Sequence, residues 1–272
     1  MKKLELNIQN VWIFFLIYSI AGWILESIYR SIIEKKIINS GFLNGPACPI
    51  YGVGAVIMLL FLSKFKDNII LLFIINFLVL STWEYLVGVA LEKIFKTKYW
   101  DYSDNKFNIH GRVCLFNSVC WGILGVIFIH FIHPFVVWAL QQVNPGILKV
   151  TFIFISIVFV FDTIISVIKV KGLKGALEYI EKINEQIKEK IEEIKKLDKK
   201  ENSKSLEIKE NLQETIKKLK KKKNRILRNL YRHVYRLKRA FPTIETKEIS
   251  EILNKKIEIS KWKNNKKEKC EK

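Results

Sequence analysis

Long apolar runs constrain this chain more than any other feature of its sequence. Four are long enough to cross a bilayer: Val11–Tyr29, Ile69–Leu91, Val113–Leu140 and Ile147–Ile168. A helix of about 20 residues rises about 30 Å, which is the thickness of the hydrocarbon core. A fifth run, Ile50–Ser63, is shorter and spans if the residues before it are buried or if the bilayer thins. The runs predict an all-α integral membrane protein with about five transmembrane helices.

Charge divides the chain into two parts. Residues 1–170 carry 14 Lys and Arg against 9 Asp and Glu, whereas residues 171–272 carry 32 against 17. The first part is apolar and nearly neutral, and the second is polar and basic. We therefore expect a polytopic transmembrane domain over 1–170, a basic cytoplasmic helical hairpin over 171–243 and a basic, loosely ordered tail over 244–272.

The basic residues also predict an orientation, because Lys and Arg resist translocation. The basic C-terminal part should be cytoplasmic, and five crossings then place the N-terminus outside. Segments 30–36 and 93–112 would lie inside and hold eight basic residues, whereas the predicted outer loops hold three. Lys2 and Lys3 oppose this assignment. The apolar run that follows them is too long for a signal-peptide core, so we expect it to remain as an anchor in a multi-pass cell-membrane protein.

The sequence predicts no cofactor, metal site or disulfide. Its four cysteines, Cys48, Cys114, Cys120 and Cys270, form no CxxC pair and have no His at ligand spacing. No nucleophile–base pair supports an enzyme. The chain also lacks a GxxxxGK[ST] motif, so any ATP hydrolysis would come from a separate subunit.

The stretch GFLNGPACPIY at residues 41–51 lies between two apolar runs and is short of charge. Its glycines permit positive φ angles, and its prolines stiffen the chain without adding donors. Non-helical backbone at membrane depth is tolerated where it packs in protein or lines a cavity. We expect a re-entrant or interfacial loop over 41–52 at the cytoplasmic face. Its packed residues are predicted to be Gly41, Phe42, Asn44, Gly45, Pro46, Pro49, Tyr51 and Gly52.

Acidic residues within the apolar runs allow two interpretations. Glu26, Glu84 and Asp162 fall in the inner half of the predicted bilayer, and each needs a partner at that depth. In the first interpretation, the acids form pairs that hold helices together, as the spacing of Glu26 and Arg30 allows. In the second, they line a polar cavity that opens to the cytoplasm beneath the loop. The candidate cavity residues are Glu26, Arg30, Glu84, Asp101, Arg112 and Asp162.

A second unusual stretch, YWDYSDNKFNIHGR, covers residues 99–112. Asp101 either caps a turn of this loop or lines the same cavity as Glu84. Aromatic residues that suit the membrane interface accompany the loop and the apolar runs. They are Trp23, Tyr85, Trp100 and Tyr102.

Residues 173–239 have a helical pattern in two segments, separated by the polar stretch 198–205. The pattern predicts an antiparallel hairpin or a coiled-coil oligomer, with Lys223 at one position of the apolar seam. The second segment carries 12 basic residues and no acid from Lys217 to Arg239. Three roles for this charge stay open: it is solvated, it contacts anionic lipid, or it docks a soluble partner. Nucleic acid is not expected as a partner, since no recognition motif is present. The proposed contact residues are Lys217, Lys221, Arg225, Arg228, Arg232, Arg236 and Arg239.

Several motifs occur in a fixed order along the chain: YSIAGWILESIYR (18–30), GFLNGPACPIYG (41–52), WEYLVGVALEKIF (83–95), YWDYS (99–103), NIHGRVCL (108–115) and RAFPT (239–243). Their combination resembles the bacterial membrane family described as Putative ABC-transporter type IV. The resemblance covers about residues 10–170 well and the rest in outline. It departs from the family at Ser40, where members usually have Arg.

The resemblance implies importance for the residues that match its motifs: Gly22, Trp23, Glu26, Gly41, Phe42, Gly45, Pro46, Pro49, Tyr51, Gly52, Glu84, Tyr85, Trp100, Asp101, Tyr102 and Gly111. It also implies a permease-like transporter component that works with a separate ATPase and forms a homo-oligomer. The alternative from the residues alone is a membrane-anchored sensor or scaffold, whose basic hairpin binds anionic lipid or a cytoplasmic partner.

Overall fold

The computed structural model describes residues 7–95, 97–197, 203–244, 246 and 248–254, and most of these residues are helical. Backbone contacts divide the chain into two compact units. The first comprises the described residues of 1–167 with 237–244, and the second comprises those of 168–236 with 245–254.

The membrane-type helices follow one another in chain order with short connections. They are α1 (Ile8–Glu34), α2 (Pro49–Ile57), α3 (Ile69–Phe95), α4 (Leu115–Ile127), α5 (His133–Gln141) and α6 (Pro145–Lys171). A π-helical turn at Met58–Leu62 and a 3₁₀ turn at Ser63–Phe65 extend α2. Strands β1 (Asn108–Ile109) and β2 (Val113–Cys114) pair antiparallel before α4. The prediction of an essentially all-α fold is therefore confirmed.

Four of the helical segments are long and apolar enough to cross a membrane: α1, α3, the continuous stretch Leu115–Gln141 and α6. A π-helical turn joins α4 to α5, just before Pro134. Pro134 has no N–H, and its ring crowds the carbonyl four residues earlier, which accounts for a widened turn there. The predicted fifth span corresponds to Pro49–Phe65, which is apolar but shorter than the other four. A count of five crossings stays a prediction.

The chain turns back along α1 after that helix ends at Glu34, and the next residue, Lys35, adopts a left-handed conformation with φ 51°. Serines of α1 then hold the returning backbone. Ile38 N donates to Ser31 Oγ at 2.9 Å, and Ser40 N donates to Ser27 Oγ at 3.1 Å. Cys48 N donates to the carbonyl of Ser19 at 2.8 Å. From Ser31 to Ser19 the returning segment follows α1 for about 18 Å at 1.5 Å per residue.

The directions of the helices follow from their contacts. Trp12 Nε1 donates to Ser156 Oγ at 2.8 Å, and the rings of Phe15 and Phe159 lie 5.4 Å apart. Both pairs are separated by the same number of residues, so α6 runs parallel to α1. Ser166 is the one buried residue of α6, and the remainder of its surface is largely exposed and apolar.

The core of the first unit lies between α1, α2, α3 and the α4–α5 stretch. Its buried side chains are Phe14, Tyr18, Ala55, Met58, Leu59, Leu62, Leu72, Leu80, Phe128, Ile129 and Val137. Glycine permits the closest approach of α1 and α2, since a Cβ at Gly52 would overlap Ser19 Oγ and the carbonyl of Phe15. Close helix packing at small residues is usual in membrane proteins.

The second unit contains the amphipathic helices α7 (Leu173–Leu197) and most of α8 (Ser203–Ala240). They pack through an apolar seam whose buried residues are Ile183, Ile187 and Ile216. Lys223, the polar residue of the predicted seam, donates to Asn184 Oδ1 at 2.7 Å. Tyr179 of α7 lies beside Lys222 of α8, and Ile191 lines the same groove as Gln213, so the two helices run antiparallel. Supercoiling and oligomer formation stay predictions.

The predicted loose tail lies partly outside the described residues, from 255 onward, as do Cys270, Lys2 and Lys3. Within it, residues 248–254 are helical. Ile249 and Ile252 of this short segment are buried.

Candidate functional site

The first half of the candidate site joins α1 to α2. Tyr51 OH donates a 2.6 Å hydrogen bond to Glu26 Oε2. The Tyr51 ring lies directly over Gly22, where any Cβ would overlap it. A small residue is needed at Gly22, one turn before Glu26, because the Tyr51 ring must pass over it to reach the acid. All three residues belong to the family motifs.

The second half joins α3, the 97–112 loop and α4 around Glu84, which is 5% exposed. Tyr102 OH donates to Glu84 Oε1 at 3.2 Å, and Trp121 Nε1 donates to Glu84 Oε2 at 2.9 Å. Each carboxylate oxygen therefore accepts one hydrogen bond from an aromatic side chain. A buried acid at this depth requires such partners.

The two halves form one group, which we call the acidic cluster: Glu26, Tyr51, Glu84, Tyr102 and Trp121. The rings of Tyr51 and Trp121 lie 5.7 Å apart and bridge the halves. Burial, together with the Glu84 and Glu26 carboxylates, raises the pKa of Tyr102 well above its ordinary value. The Tyr102 hydroxyl therefore stays protonated at neutral pH and acts as a hydrogen-bond donor to Glu84.

Neither carboxylate of the acidic cluster forms an ion pair with any Lys or Arg that the structure describes. Two neighbouring carboxylates repel each other when both are ionised, and low dielectric strengthens that repulsion. Binding a proton or a cation relieves it. The arrangement can therefore hold or exchange a positive charge.

The loop that carries Tyr102 is fixed by its own hydrogen bonds. Tyr102 N donates to the carbonyl of Gly111 at 2.7 Å. Asp101 Oδ1 accepts from Ser103 N at 3.0 Å, and Trp100 Nε1 donates to the carbonyl of Arg112 at 2.9 Å. Gly111 has φ 69° and lies against Asp101, so a side chain there would be strained and would overlap the carboxylate. Hydrogen bonds from Ser103 lower the pKa of Asp101.

Glu26 and Glu84 are the two residues of the predicted cavity that the structure brings together. Asp101 contacts Ser103 and, at 3.3 Å, Lys98, and acts as the cap of a turn. Arg112 pairs with Glu92 and lies over the ring of Tyr85. The remaining two residues, Arg30 and Asp162, lie elsewhere.

Arg30 forms an ion pair with Glu34 at 3.5 Å and donates to the carbonyl of Arg239 at 3.4 Å. Its expected partner was Glu26. Asp162 binds the returning loop. Its Oδ1 accepts from Asn44 Nδ2 at 2.8 Å, and its Oδ2 accepts from Gly45 N at 2.7 Å. A carboxylate that pairs with donors of the loop fixes it against α6.

The packed-loop residues lie where the chain returns along α1. Gly41 has φ 102°, and Phe42 stacks near Phe95 and Tyr99 at centroid distances of 5.2 and 5.9 Å. Pro46 is followed by the buried Ala47, and Pro49 begins α2. The loop therefore packs in protein over most of its length.

The interfacial aromatics make specific contacts instead of facing lipid alone. Trp23 Nε1 donates to Asn39 Oδ1 at 2.6 Å, and Tyr85 OH is bonded to His110 Nδ1 at 3.1 Å. Trp100 and Tyr102 hold the loop and Glu84, as described above. Trp23, Tyr85 and Tyr102 each tie a helix to a loop, and Trp100 joins the two ends of the 97–112 loop.

The RAFPT motif contacts both loops of the first unit. We call residues 237–244 the clasp. Arg239 Nη2 donates to the carbonyl of Ile37 at 2.8 Å, and the Phe241 ring packs edge-on against Tyr99 at 5.0 Å. Thr243 Oγ1 donates to the carbonyl of Tyr99 at 3.2 Å, and Ile244 is buried. The clasp thus bonds to the 35–40 and 97–103 segments together.

Five basic residues of the proposed contact set, Lys217, Lys221, Arg225, Arg228 and Arg232, are exposed on α8. At 3.6 residues per turn they lie within an arc of about 80°. The apolar seam occupies the opposite side of the helix. Arg236 and Arg239 are half-buried, and Arg239 belongs to the clasp.

Sequence reasoning missed Trp121 and the serines of α1. A tryptophan one and a half turns inside an apolar run, away from the interface, signals a buried N–H that needs an acceptor. Ser19, Ser27 and Ser31 recur on one face of α1, which signals a polar stripe for the returning backbone. Their partners become visible only in the folded chain.

The family described as Putative ABC-transporter type IV matches residues 13–167, which is more than half of the chain. No curated protein and no solved structure matches the sequence. The matched segment contains the acidic cluster, the returning loop and all or most of each of the four long apolar helices. The chain is therefore a membrane protein that belongs to the Putative ABC-transporter type IV family.

Proposed function

We propose that this protein is the permease-like membrane component of a transporter whose ATPase is a separate chain. The acidic cluster would be its polar core, where a proton or a cationic group exchanges. The observation that carries the proposal is the meeting of Glu26 and Glu84, from different helices, with no basic partner among the described residues. A pair that served only to hold helices together would be expected to include an opposite charge.

The proposed topology has five traversals of the cell membrane, with the N-terminus outside and the C-terminus in the cytoplasm. The parallel directions of α1 and α6 support it. If residues 37–65 entered and left the membrane at the same face, α6 would run antiparallel to α1. The second traversal would then consist of the returning loop followed by Pro49–Phe65. The exposed apolar face of α6 would meet lipid or a second copy in a homo-oligomer.

The first test is a pull-down of the full-length protein in mild detergent, with quantitative mass spectrometry of what accompanies it. The proposal expects a stoichiometric ATPase. It also expects Glu84→Gln to reduce the ATPase activity of the complex several-fold while the melting temperature stays within about a degree or two. Glu34→Gln is the matched control, since Glu34 lies on α1 outside the cluster.

A membrane-anchored sensor or scaffold is the second candidate, and the exposed basic face of α8 favours it. That face would bind anionic lipid or an acidic cytoplasmic partner, because it lies opposite the seam and α8 carries no acid from Lys217 to Arg239. The scaffold reading expects recovery without an ATPase. It also expects Glu84→Gln to lower the melting temperature by several degrees, because the acids would then only hold helices together.

A further inference from the structure

We propose that the groove between the end of α1 and residues 35–39 binds an anionic phospholipid, with the phosphate at Lys35 and Lys36 and an acyl chain along the isoleucines. The proposal is independent of the acidic cluster and of transport. The groove shares no lining residue with the acidic cluster.

The groove forms because the chain reverses at Lys35 and then descends along α1. Its volume is about 650 Å³, within the range of roughly 300–1,000 Å³ that is usual for small-molecule sites. Its walls carry strongly exposed isoleucines: Ile28 is 54% exposed, Ile32 71% and Ile37 93%. This apolar surface lies at one end of a membrane-spanning helix, where an acyl chain would cover it.

The floor of the groove is polar but already satisfied. Ser27 Oγ and Ser31 Oγ each accept a hydrogen bond from the returning backbone. Trp23 lines the groove, and its indole N–H is bonded to Asn39. A ligand therefore gains little from hydrogen bonds to the floor, which favours an apolar chain there over a polar solute.

The mouth of the groove is cationic. Lys35 and Lys36 are exposed, and neither forms an ion pair with a residue that the structure describes. The adjacent acid, Glu34, is paired with Arg30. A lipid phosphate would thus meet two uncompensated ammonium groups, as in the basic pockets that bind lipid headgroups at helix ends.

The spacing of the two regions also fits a phospholipid. Seven residues separate Ile28 from Lys35, which corresponds to about 10 Å along the helix axis. Interfacial apolar groups enter the headgroup and acyl boundary by about 5–10 Å. When the lysines lie at the headgroup level, the isoleucine wall lies at the level of the upper acyl chains.

The test uses purified full-length protein in zwitterionic nanodiscs and compares phosphatidylglycerol with phosphatidylcholine as probes, by native mass spectrometry and thermal shift. Wild type should retain phosphatidylglycerol preferentially. Lys35→Gln/Lys36→Gln should weaken that preference by about fivefold for each lysine removed. Ile32→Trp fills the groove without changing charge and should reduce retention of phosphatidylglycerol while the protein stays folded.

Two controls carry the same charge change elsewhere. Lys64→Gln/Lys66→Gln removes two lysines beyond α2, and Lys182→Gln/Lys188→Gln removes two exposed lysines from α7. Both should keep the wild-type lipid preference, and inorganic phosphate should not compete because it has no acyl chain. Equal retention of the two lipids by wild type, or loss of preference in either control and not in Lys35→Gln/Lys36→Gln, would overturn the proposal.

Discussion

At the residue scale, glycines determine how closely helices of the first unit approach. Gly22 accommodates the Tyr51 ring, and Gly52 accommodates Ser19 and the backbone of Phe15. Since Tyr51 donates a hydrogen bond to Glu26, this close approach also determines the positions of two residues of the acidic cluster. Packing and site geometry thus depend on the same small residues.

Gly52→Ala should destabilise the first unit by about 1–3 kcal/mol, because its methyl group overlaps Ser19 Oγ and a carbonyl that cannot move freely. Gly175→Ala is the matched control. A Cβ at Gly175 in α7 meets nothing within 4 Å, so alanine should stabilise that helix by about 0.5–1 kcal/mol. Chemical denaturation in detergent measures both, and an equal effect at the two positions would refute the argument.

His233 gives the second unit a pH dependence. Its Nε2 is buried without a hydrogen-bond partner among the residues that the structure describes. Burial, with the charges of Arg236 and Lys169, lowers the pKa of His233 from 6.5 to about 4. Between those two values the unfolded chain binds one more proton than the folded chain does. Stability is therefore retained above about pH 6.5 and falls as the pH decreases toward about 4, by up to about 3 kcal/mol.

Hydrogen exchange of α8, corrected for intrinsic rates, would measure this loss of stability between pH 7.5 and pH 4.5. His233→Leu should flatten the dependence, since leucine cannot be protonated. The same slope in the variant would assign the effect to other groups.

At the element scale, the clasp is a short segment that fixes two loops at once. It bonds to Ile37 in the returning segment and to Tyr99 in the 97–112 loop. The Tyr99 ring in turn packs against Phe42 of the returning loop. Both loops also have hydrogen bonds of their own, and the clasp adds contacts from a segment distant in sequence.

Phe241→Ala should remove the ring contact with Tyr99 and cost about 1–3 kcal/mol, less than a fully buried phenylalanine because Phe241 is half-buried. Hydrogen exchange should accelerate in residues 97–103 and in the clasp, while α1 and α3 keep their protection. Phe107→Ala is the control, since Phe107 is 79% exposed. Unchanged exchange in 97–103 would mean that the clasp does not hold that loop.

At the scale of the whole molecule, the direction of α6 determines how many times the chain crosses the membrane. Single cysteines in a cysteine-free background would report this through an impermeant maleimide. With five traversals, Asp67→Cys and Gln142→Cys should react in intact cells, whereas Lys36→Cys and Lys106→Cys should react after permeabilisation. Reaction of positions 67 and 36 from the same side would exclude a traversal by residues 37–65.

Elements whose cause is local can be predicted from the sequence alone. Continuous apolar runs predict the long helices because a bilayer admits a backbone that satisfies its own hydrogen bonds. Spacings of three and four residues likewise predict α7 and α8. The Gly- and Pro-rich stretch predicts a packed loop, and the family motifs single out Glu26, Tyr51, Glu84 and Tyr102.

Which of these residues meet depends on the tertiary packing of the helices. Six candidates looked alike as charges at the inner ends of helices, yet Glu26 and Glu84 converge while Asp162 binds a loop and Asp101 caps a turn. Their partners depend on how each helix is rotated and on glycine contacts between helices distant in sequence. Periodicity defines the faces of one helix but not the face of another that will pack against it.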